Sequence, residues 1–232
     1  MTDMEGTDMK FIVFNGSPAG QGSNTNVIAE AFLKGAGAAG AETENVFLAD
    51  KNIGHCKGCF ACWFKTPGRC VMDDDMTELL AQYKHADVVC FGTPVYTWNM
   101  TAALKNFVDR LAPLKSPLIV QNNGNFDLAD SEVKTRQFVV ISNCGFPGDN
   151  NFETIRAVFA SCNPVLEIYR NCGKLLKSKD QAHRTIVEAY LQVVRTAGYE
   201  MAVNRGISGQ TKKELAMQLM SVPDYCKYIG ML

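Results

Sequence analysis

Four closely spaced cysteines, Cys56, Cys59, Cys62 and Cys70, carry the most chemistry in the spacing of this 232-residue chain. They follow C-x2-C-x2-C-x7-C, while the other five of the nine, Cys90, Cys144, Cys162, Cys172 and Cys226, are scattered. In a reducing compartment such a cluster points to metal or redox chemistry rather than a disulfide framework, and the scattered thiols are expected as small buried apolar groups. A second constellation is Asn15–Thr25, NGSPAGQGSNT. Its glycines and short hydroxyl and amide side chains leave backbone N–H groups free at a helix start, where the dipole favours an anion. No Lys follows in a Gly-Lys-Ser/Thr arrangement, which excludes a nucleotide triphosphatase loop and suits a single terminal phosphate. The third is Thr93–Met100, TPVYTWNM, in which Pro94 stiffens a turn and Tyr96 and Trp98 either flank a flat ring or serve as core or subunit contacts. Asn143–Gly148, NCGFPG, is a fourth loop of similar character.

Other candidates are weaker. His55 abuts the cysteine motif, but a lone loop histidine is ordinarily just solvated. Asp73, Asp74 and Asp75 lack the glycine turn and following ligands of a calcium loop and are expected to cap a helix. A G-x-G-x-x-G match at Gly35, Gly37 and Gly40 ends a helix instead of opening one, so it is not a dinucleotide fingerprint, and Gly40 reads as a helix C′ residue.

The elements that must position these loops alternate along the chain. Lys10–Asn15 reads as a short buried strand, and Ser23, Asn24 and Thr25 offer caps to a helix with Val27, Ile28, Ala31 and Phe32 on one stripe. Thr43–Leu48 is a second strand, and the Cys-rich loop spans Ala49–Met72. A helix through Leu79, Leu80 and Tyr83 leads to a third strand at Asp87–Gly92. Asn99 is expected to cap a helix bearing Leu104, Phe107, Val108 and Leu111. Pro113–Val133 has no clear period and reads as an excursion containing a hairpin. Phe138–Ser142 and Val165–Tyr169 are strands four and five, with a helix through Phe152, Ile155 and Phe159 between them. Two terminal helices are expected, about Ser178–Thr196 and Lys212–Met220, in a C-terminal region of residues 178–232. Short apolar strands alternating with helices predict one α/β domain over residues 1–232, doubly wound, with a five-stranded parallel sheet covered on both faces.

Composition agrees with a soluble core-forming chain: 47% hydrophobic, 20% charged and a formal net charge of −1. With a pI near 6.3 and scattered basic residues, no nucleic acid or anionic membrane is expected as a partner. The acidic, polar start (Met1–Asp8) is no signal peptide, and the charge-free stretch Val88–Leu104 contains Pro94 and Asn99 and cannot span a bilayer. A cytoplasmic protein is expected.

In a doubly wound sheet of order 2-1-3-4-5 the switch point lies between strands one and three, and ligands bind outside their carboxyl ends. The two unusual loops follow those two strands, and the Asn143 loop lies next door. One phosphate site, one aromatic ledge and one Gly-rich wall describe an FMN pocket.

With NGSPAGQGSNT, CKGCFACWFKTPGRCVMDDDM (Cys56–Met76), GTPVYTWNMTAALKNFVDR (Gly92–Arg110) and SNCGFPGDNNFE (Ser142–Glu153), the chain resembles the NAD(P)H-dependent FMN reductases of the flavodoxin-like superfamily, and among them the iron–sulfur flavoproteins. The resemblance implies that Ser17, Ser23, Asn24 and Thr25 hold the FMN phosphate. It implies that Pro94, Val95, Tyr96, Thr97 and Trp98 line the isoalloxazine, with Asn143, Cys144 and Gly145 at its other edge. It implies that Cys56, Cys59, Cys62 and Cys70 bind a 4Fe–4S cluster, and their C-x2-C-x2-C run is also that of ferredoxin-type sites. Trp63–Arg69 resembles flavin-only members, so free thiols shaping an active-site loop are the other expectation. The implied function is an oxidoreductase passing electrons from NAD(P)H through FMN to a small-molecule or protein acceptor. The alternatives are an electron carrier served by ferredoxin and a flavin-sensing protein without turnover. A homodimer or homotetramer is expected, with the Pro113–Val133 excursion as a contact.

Overall fold

The structure is a computed structural model that describes residues 8–122, 124–130 and 135–231. The chain start and the end of the expected excursion (Ser131–Val133) lie outside the described residues. Five parallel strands, β1 (Lys10–Asn15), β2 (Glu42–Phe47), β3 (Val88–Pro94), β6 (Gln137–Asn143) and β7 (Leu166–Arg170), form one sheet in the order β2-β1-β3-β6-β7. Counted along that sheet alone, this is the flavodoxin-like order 2-1-3-4-5 expected from the sequence. The intervening β4 (Lys115–Asn122) and β5 (Asn125–Asp130) pair antiparallel as a separate hairpin, the excursion read from the sequence.

Alternation of side chains, with both faces buried, explains why the central strands β1, β3 and β6 read as unbroken apolar runs, while the edge strand β2 is exposed at its start. Phe11, Val13, Val88, Cys90, Val139, Ile141, Leu166 and Ile168 point to one face, against α1 (Asn24–Ala38) and α6 (Gln181–Asn204). Ile12, Phe14, Val46, Val89, Phe91 and Val140 point to the other, against α3 (Met76–His85), α4 (Ala102–Asp109) and α5 (Glu153–Phe159). Both faces are therefore core.

Ser23 starts α1 by accepting the Asn26 N–H at 3.0 Å. At its end, Gly40 N–H reaches the Gly37 carbonyl at 3.0 Å and Ala41 N–H the Ala36 carbonyl at 3.2 Å, a Schellman ending with Gly40 at C′. Gly35 is a packing glycine: a Cβ there would stand 1.8 Å from the Arg195 carbonyl oxygen, and one at Gly198 would stand 2.0 Å from that of Phe32. The two helices touch backbone to backbone at these points. That contact also carries α6 beyond the expected end at Thr196, to Asn204.

Two other expectations are corrected. Thr101, not Asn99, caps α4, its Oγ1 accepting the Leu104 N–H at 3.3 Å. Asn99 cannot cap because its N–H and carbonyl are both bonded to Tyr96, in a tight turn that ends just before the helix. The tail also holds three helices where two were expected, with α7 (Gly209–Leu215) and α8 (Val222–Tyr228) following α6. Ser221 caps a fresh helix by accepting the Asp224 N–H at 3.3 Å, and proline is tolerated in a first helical turn.

Candidate functional site

The loops after β1, β3 and β6 leave the carboxyl ends of adjacent strands and are bonded to one another. Gly16 N–H donates to the Gly92 carbonyl at 2.7 Å, and Thr101 Oγ1 donates to the Gly16 carbonyl at 2.5 Å. Val95 N–H donates to the Asn143 carbonyl at 2.8 Å, while the Asn143 amide donates to Thr25 Oγ1 at 2.7 Å. These bonds bring the residues expected at the FMN site into one cluster, with Thr25 and Asn143 buried at its floor.

The first wall fits a phosphate. Ser17 N–H is taken by Asn15 Oδ1 at 3.1 Å, and the next turn is closed by Gly20 N–H to the Ser17 carbonyl at 3.1 Å. Ser23 is the helix cap. Asn24 and Thr25 are the first residues of α1, whose N–H groups have no carbonyl one turn back to bond. The Asn15 side-chain nitrogen is fully buried and has no hydrogen-bond partner. No acidic residue stands in the first turn of α1, so its free N–H groups are open to an anion. The Thr25 hydroxyl accepts from the Asn143 amide, which leaves its own O–H, together with its backbone N–H, to donate to an anion.

The second wall is a tight turn. Tyr96 N–H bonds the Asn99 carbonyl at 2.9 Å and Asn99 N–H bonds the Tyr96 carbonyl at 3.0 Å. Its central residues, Thr97 and Trp98, have φ of 47° and 59°. Positive φ on a β-branched and a bulky residue is strained backbone, held by the bonds on either side. Trp98 is 62% exposed and Tyr96 53%, so neither is a core residue. Pro94 and Val95 are half-buried at the root of this ledge.

The third wall is Asn143, Cys144 and Gly145. Cys144 is buried, its thiol pushed up to about 11 by burial, only partly offset by the Phe146 backbone, and its S–H donates to the Phe146 carbonyl at 3.2 Å. Gly173 N–H holds the Cys144 carbonyl at 2.8 Å, and the Tyr225 hydroxyl of α8 donates to the Gly145 carbonyl at 2.6 Å.

The cysteine loop lies along α4. Asn106 donates to the Ile53 carbonyl at 2.6 Å and meets His55 Nδ1 at 3.2 Å, so His55 has a partner where simple solvation was expected. Trp63, within the short helix α2 (Ala61–Phe64), donates to the Ala112 carbonyl at 2.9 Å. Arg110 closes the loop at both ends, donating to the Gly54 carbonyl at 2.5 Å and to both Asp74 oxygens at 2.7 and 2.9 Å. The expected capping is corrected: Asp75 stands at the N-cap of α3 but accepts the Asn52 N–H, and it is Asp74 that accepts the Met76 N–H at 3.2 Å as well as binding Arg110. Burial alone would raise the Asp74 carboxyl, but Arg110 and the N–H groups of Gly54 and Met76 hold it below its ordinary value.

Cys56, Cys59, Cys62 and Cys70 are all free thiols, and Cys56 and Cys59 are exposed. The Cys62 thiol is pushed up by burial and by its neighbours Cys70, Cys59 and Cys56. The donor set suits an iron–sulfur cluster in chemistry and spacing. Among the described residues, however, no three His, Cys, Asp or Glu side chains are gathered as a metal-ion group.

Sequence reasoning missed Asn15, Thr101 and Arg110. Thr101 was legible as a hydroxyl two residues nearer the apolar stripe than Asn99, whereas the bond from Arg110 to Asp74 spans 36 residues and has no local signal.

The model of the NADPH-dependent FMN reductase family matches residues 9–128, which include the first two walls and the whole cysteine motif. An iron–sulfur flavoprotein of Methanocaldococcus jannaschii is 40% identical over 114 residues, 49% of this chain and 58% of that protein. One from Archaeoglobus fulgidus is 40% identical over 105 residues, 45% of this chain and 46% of that protein. The chain thus spans about half the length of these curated relatives. Among solved structures, an NAD(P)H:quinone oxidoreductase from Methanothermobacter marburgensis superposes with a TM-score of 0.60 at 18% identity, covering 84% of this chain and 96% of that one. An FMN-dependent NADH-azoreductase from Bacillus anthracis gives 0.58 at 15% identity, covering 84% and 99%. At such identities the likeness is one of fold, the flavodoxin-like α/β sheet. With its family model matched over half its length, the chain belongs to the NADPH-dependent FMN reductase family.

Proposed function

We propose that the chain binds FMN and acts as an oxidoreductase that takes electrons from NAD(P)H and passes them to a small-molecule or protein acceptor. The observation that carries this reading is the first wall: the free N–H groups of Asn24 and Thr25 at the start of α1, after an uncharged loop and one strand away from two exposed aromatics. FMN, when bound, supplies one- and two-electron chemistry that no side chain here provides. The protein's part is to hold the phosphate with Ser17, Ser23, Asn24 and Thr25. Tyr96 and Trp98 then offer a flat apolar ledge, with Pro94, Val95 and Thr97 as its frame and Asn143, Cys144 and Gly145 as the opposite edge. Because the three loops are bonded together, the ring is oriented by the same residues that fix the phosphate floor.

Anaerobic titration of the FMN-reconstituted protein with NADH and with NADPH, using an artificial acceptor, tests the reading. Bleaching of the flavin bands by either nucleotide with turnover is the expected result. A flavin that binds but stays oxidised with both would remove the NAD(P)H assignment.

The cysteine motif favours a second reading, an electron carrier that receives single electrons from a ferredoxin. It is supported by the C-x2-C-x2-C-x7-C spacing and by relatives that are named iron–sulfur flavoproteins. On this reading Cys56, Cys59, Cys62 and Cys70 draw together to ligate one 4Fe–4S cluster, with Arg110 keeping the Cys70 end of the loop in place. Iron and acid-labile sulfide on anaerobically reconstituted protein decide it: about four of each per chain support the cluster. Yellow, iron-free protein under those conditions leaves the thiols as loop-shaping groups.

A further inference from the structure

The phosphate wall holds no cation of its own. Ser17–Thr25 contains no Lys, Arg or His, so a bound phosphate monoester, with a charge approaching −2 at neutral pH, would meet only backbone and amide dipoles. One ammonium reaches this loop from elsewhere: Lys177 donates from Nζ to the carbonyl of Gly22, 155 residues away.

The backbone that delivers it is fixed. Lys177 ends a 3-10 turn, Gly173–Lys177, whose Leu175 and Leu176 are buried in the core with Ile28 and Phe32 of α1. The same turn seats against the third wall. A Cβ on Gly173 would stand 2.9 Å from the Cys144 carbonyl oxygen and 3.2 Å from Asn143 Oδ1, so a larger residue would push the turn away. The turn therefore touches both the Asn143–Cys144 wall and the phosphate loop, with its lysine at the loop. An ammonium has three donors, and the bond to Gly22 leaves two. At the start of the same loop the Asn15 side-chain nitrogen is fully buried without an acceptor, while its Oδ1 holds the Ser17 N–H inside the turn.

We propose that Lys177 is the cation of the phosphate site, a cofactor-binding residue contributed by the turn after β7 that gives FMN its advantage over phosphate-free flavins. The proposal rests on the FMN reading above. Riboflavin, which has the same ring and ribityl chain without the phosphate, separates the two. Dissociation constants for FMN and riboflavin are measured by flavin fluorescence on the full chain and on Lys177→Met and Lys177→Arg. The methionine variant should bind FMN about tenfold more weakly and riboflavin within about twofold of the parent, as loss of one charge-assisted contact implies. The arginine variant should recover most of the difference, and the salt dependence of FMN binding should flatten in the methionine variant. Equal weakening for both flavins would make Lys177 a mere tether of the loop, and no weakening would remove it from the site; either overturns the proposal. Failure of the parent to bind FMN would overturn the cofactor reading itself, and that is seen before any variant is compared.

Discussion

Replacing Arg110 by Met should loosen the cysteine loop at both ends while the sheet stays folded. The Arg110 side chain is 1% exposed and that of Asp74 5%, so the pair is a buried one with two parallel bonds. Removing one partner of such a pair costs about 3–5 kcal/mol, because the other is left charged and buried. Asp74 would keep the N–H groups of Gly54 at 2.9 Å and Met76 at 3.2 Å, which places Arg110→Met near 3 kcal/mol. In Asp74→Asn the guanidinium keeps the Gly54 carbonyl but loses its counter-charge, which places that variant near 5 kcal/mol. The double variant should cost at least about 1–2 kcal/mol less than the sum of the two, since neither leaves an orphan once both are gone. Urea unfolding followed by far-UV circular dichroism gives the global values. The rate of thiol modification at Cys56, Cys59, Cys62 and Cys70, against buried Cys90 as an internal reference, reports the loop. The sign of the pH dependence follows from the depressed Asp74 carboxyl. A folded value below the unfolded one, about 3.9, gives stability that is complete above that pH and lost as pH falls through the folded value. Asp74→Asn should lack that acid limb. A loss under about 1 kcal/mol in Arg110→Met, with thiol rates unchanged, would refute the clamp.

Ser17→Asp places a carboxylate in the phosphate loop and should weaken FMN about a hundredfold, with a smaller effect on riboflavin; retention of parental affinity in a fluorescence titration would move the phosphate elsewhere. Trp98→Ala should change flavin fluorescence and weaken FMN about tenfold while unfolding stability stays within about 0.5 kcal/mol of the parent, because the indole is mostly exposed. A large loss of stability with an unchanged flavin would return Trp98 to a structural role. Ile119→Ser with Phe126→Ser, at exposed positions of the β4–β5 hairpin, should lower the molecular mass seen by light scattering if this hairpin joins copies of the chain; an unchanged assembly would place the contact elsewhere.

The sheet was legible because its signal is local. The central strands bury both faces, so Phe11–Phe14 and Val88–Phe91 read as unbroken apolar runs, and the residue types that break them, Asn-Gly and Thr-Pro, mark the carboxyl ends where loops begin. The candidate walls were legible for the same reason, since Ser17, Tyr96 and Trp98 follow closely after strands and Ser23 caps the next helix. What escaped is non-local. Lys177 and Arg110 look like an ordinary surface lysine and helix arginine, and only the fold shows that each reaches across to a distant loop. Asn99 misled because an asparagine before an apolar stripe suits a cap and a turn equally. The turn won because its two backbone bonds to Tyr96 leave Asn99 no freedom to start a helix.

That turn also says something about purpose. Positive φ at two non-glycine residues costs about 1–3 kcal/mol each, and a strained backbone persists only where its surroundings over-determine it. Here the surroundings are visible: Val95 is bonded to Asn143 on one side, and Thr101 is bonded to Gly16 and Thr93 on the other. Core packing does not explain the arrangement, because Trp98 and Tyr96 stay more than half exposed at the end of it. Asn-Gly in place of Thr97-Trp98 would make the same reversal with less strain. The chain instead holds a β-branched residue and a large aromatic in an unfavourable conformation and turns the aromatic outward, one strand away from the open N–H groups at the start of α1. A flat ring anchored by a phosphate makes use of both features, whereas a bare structural turn makes use of neither.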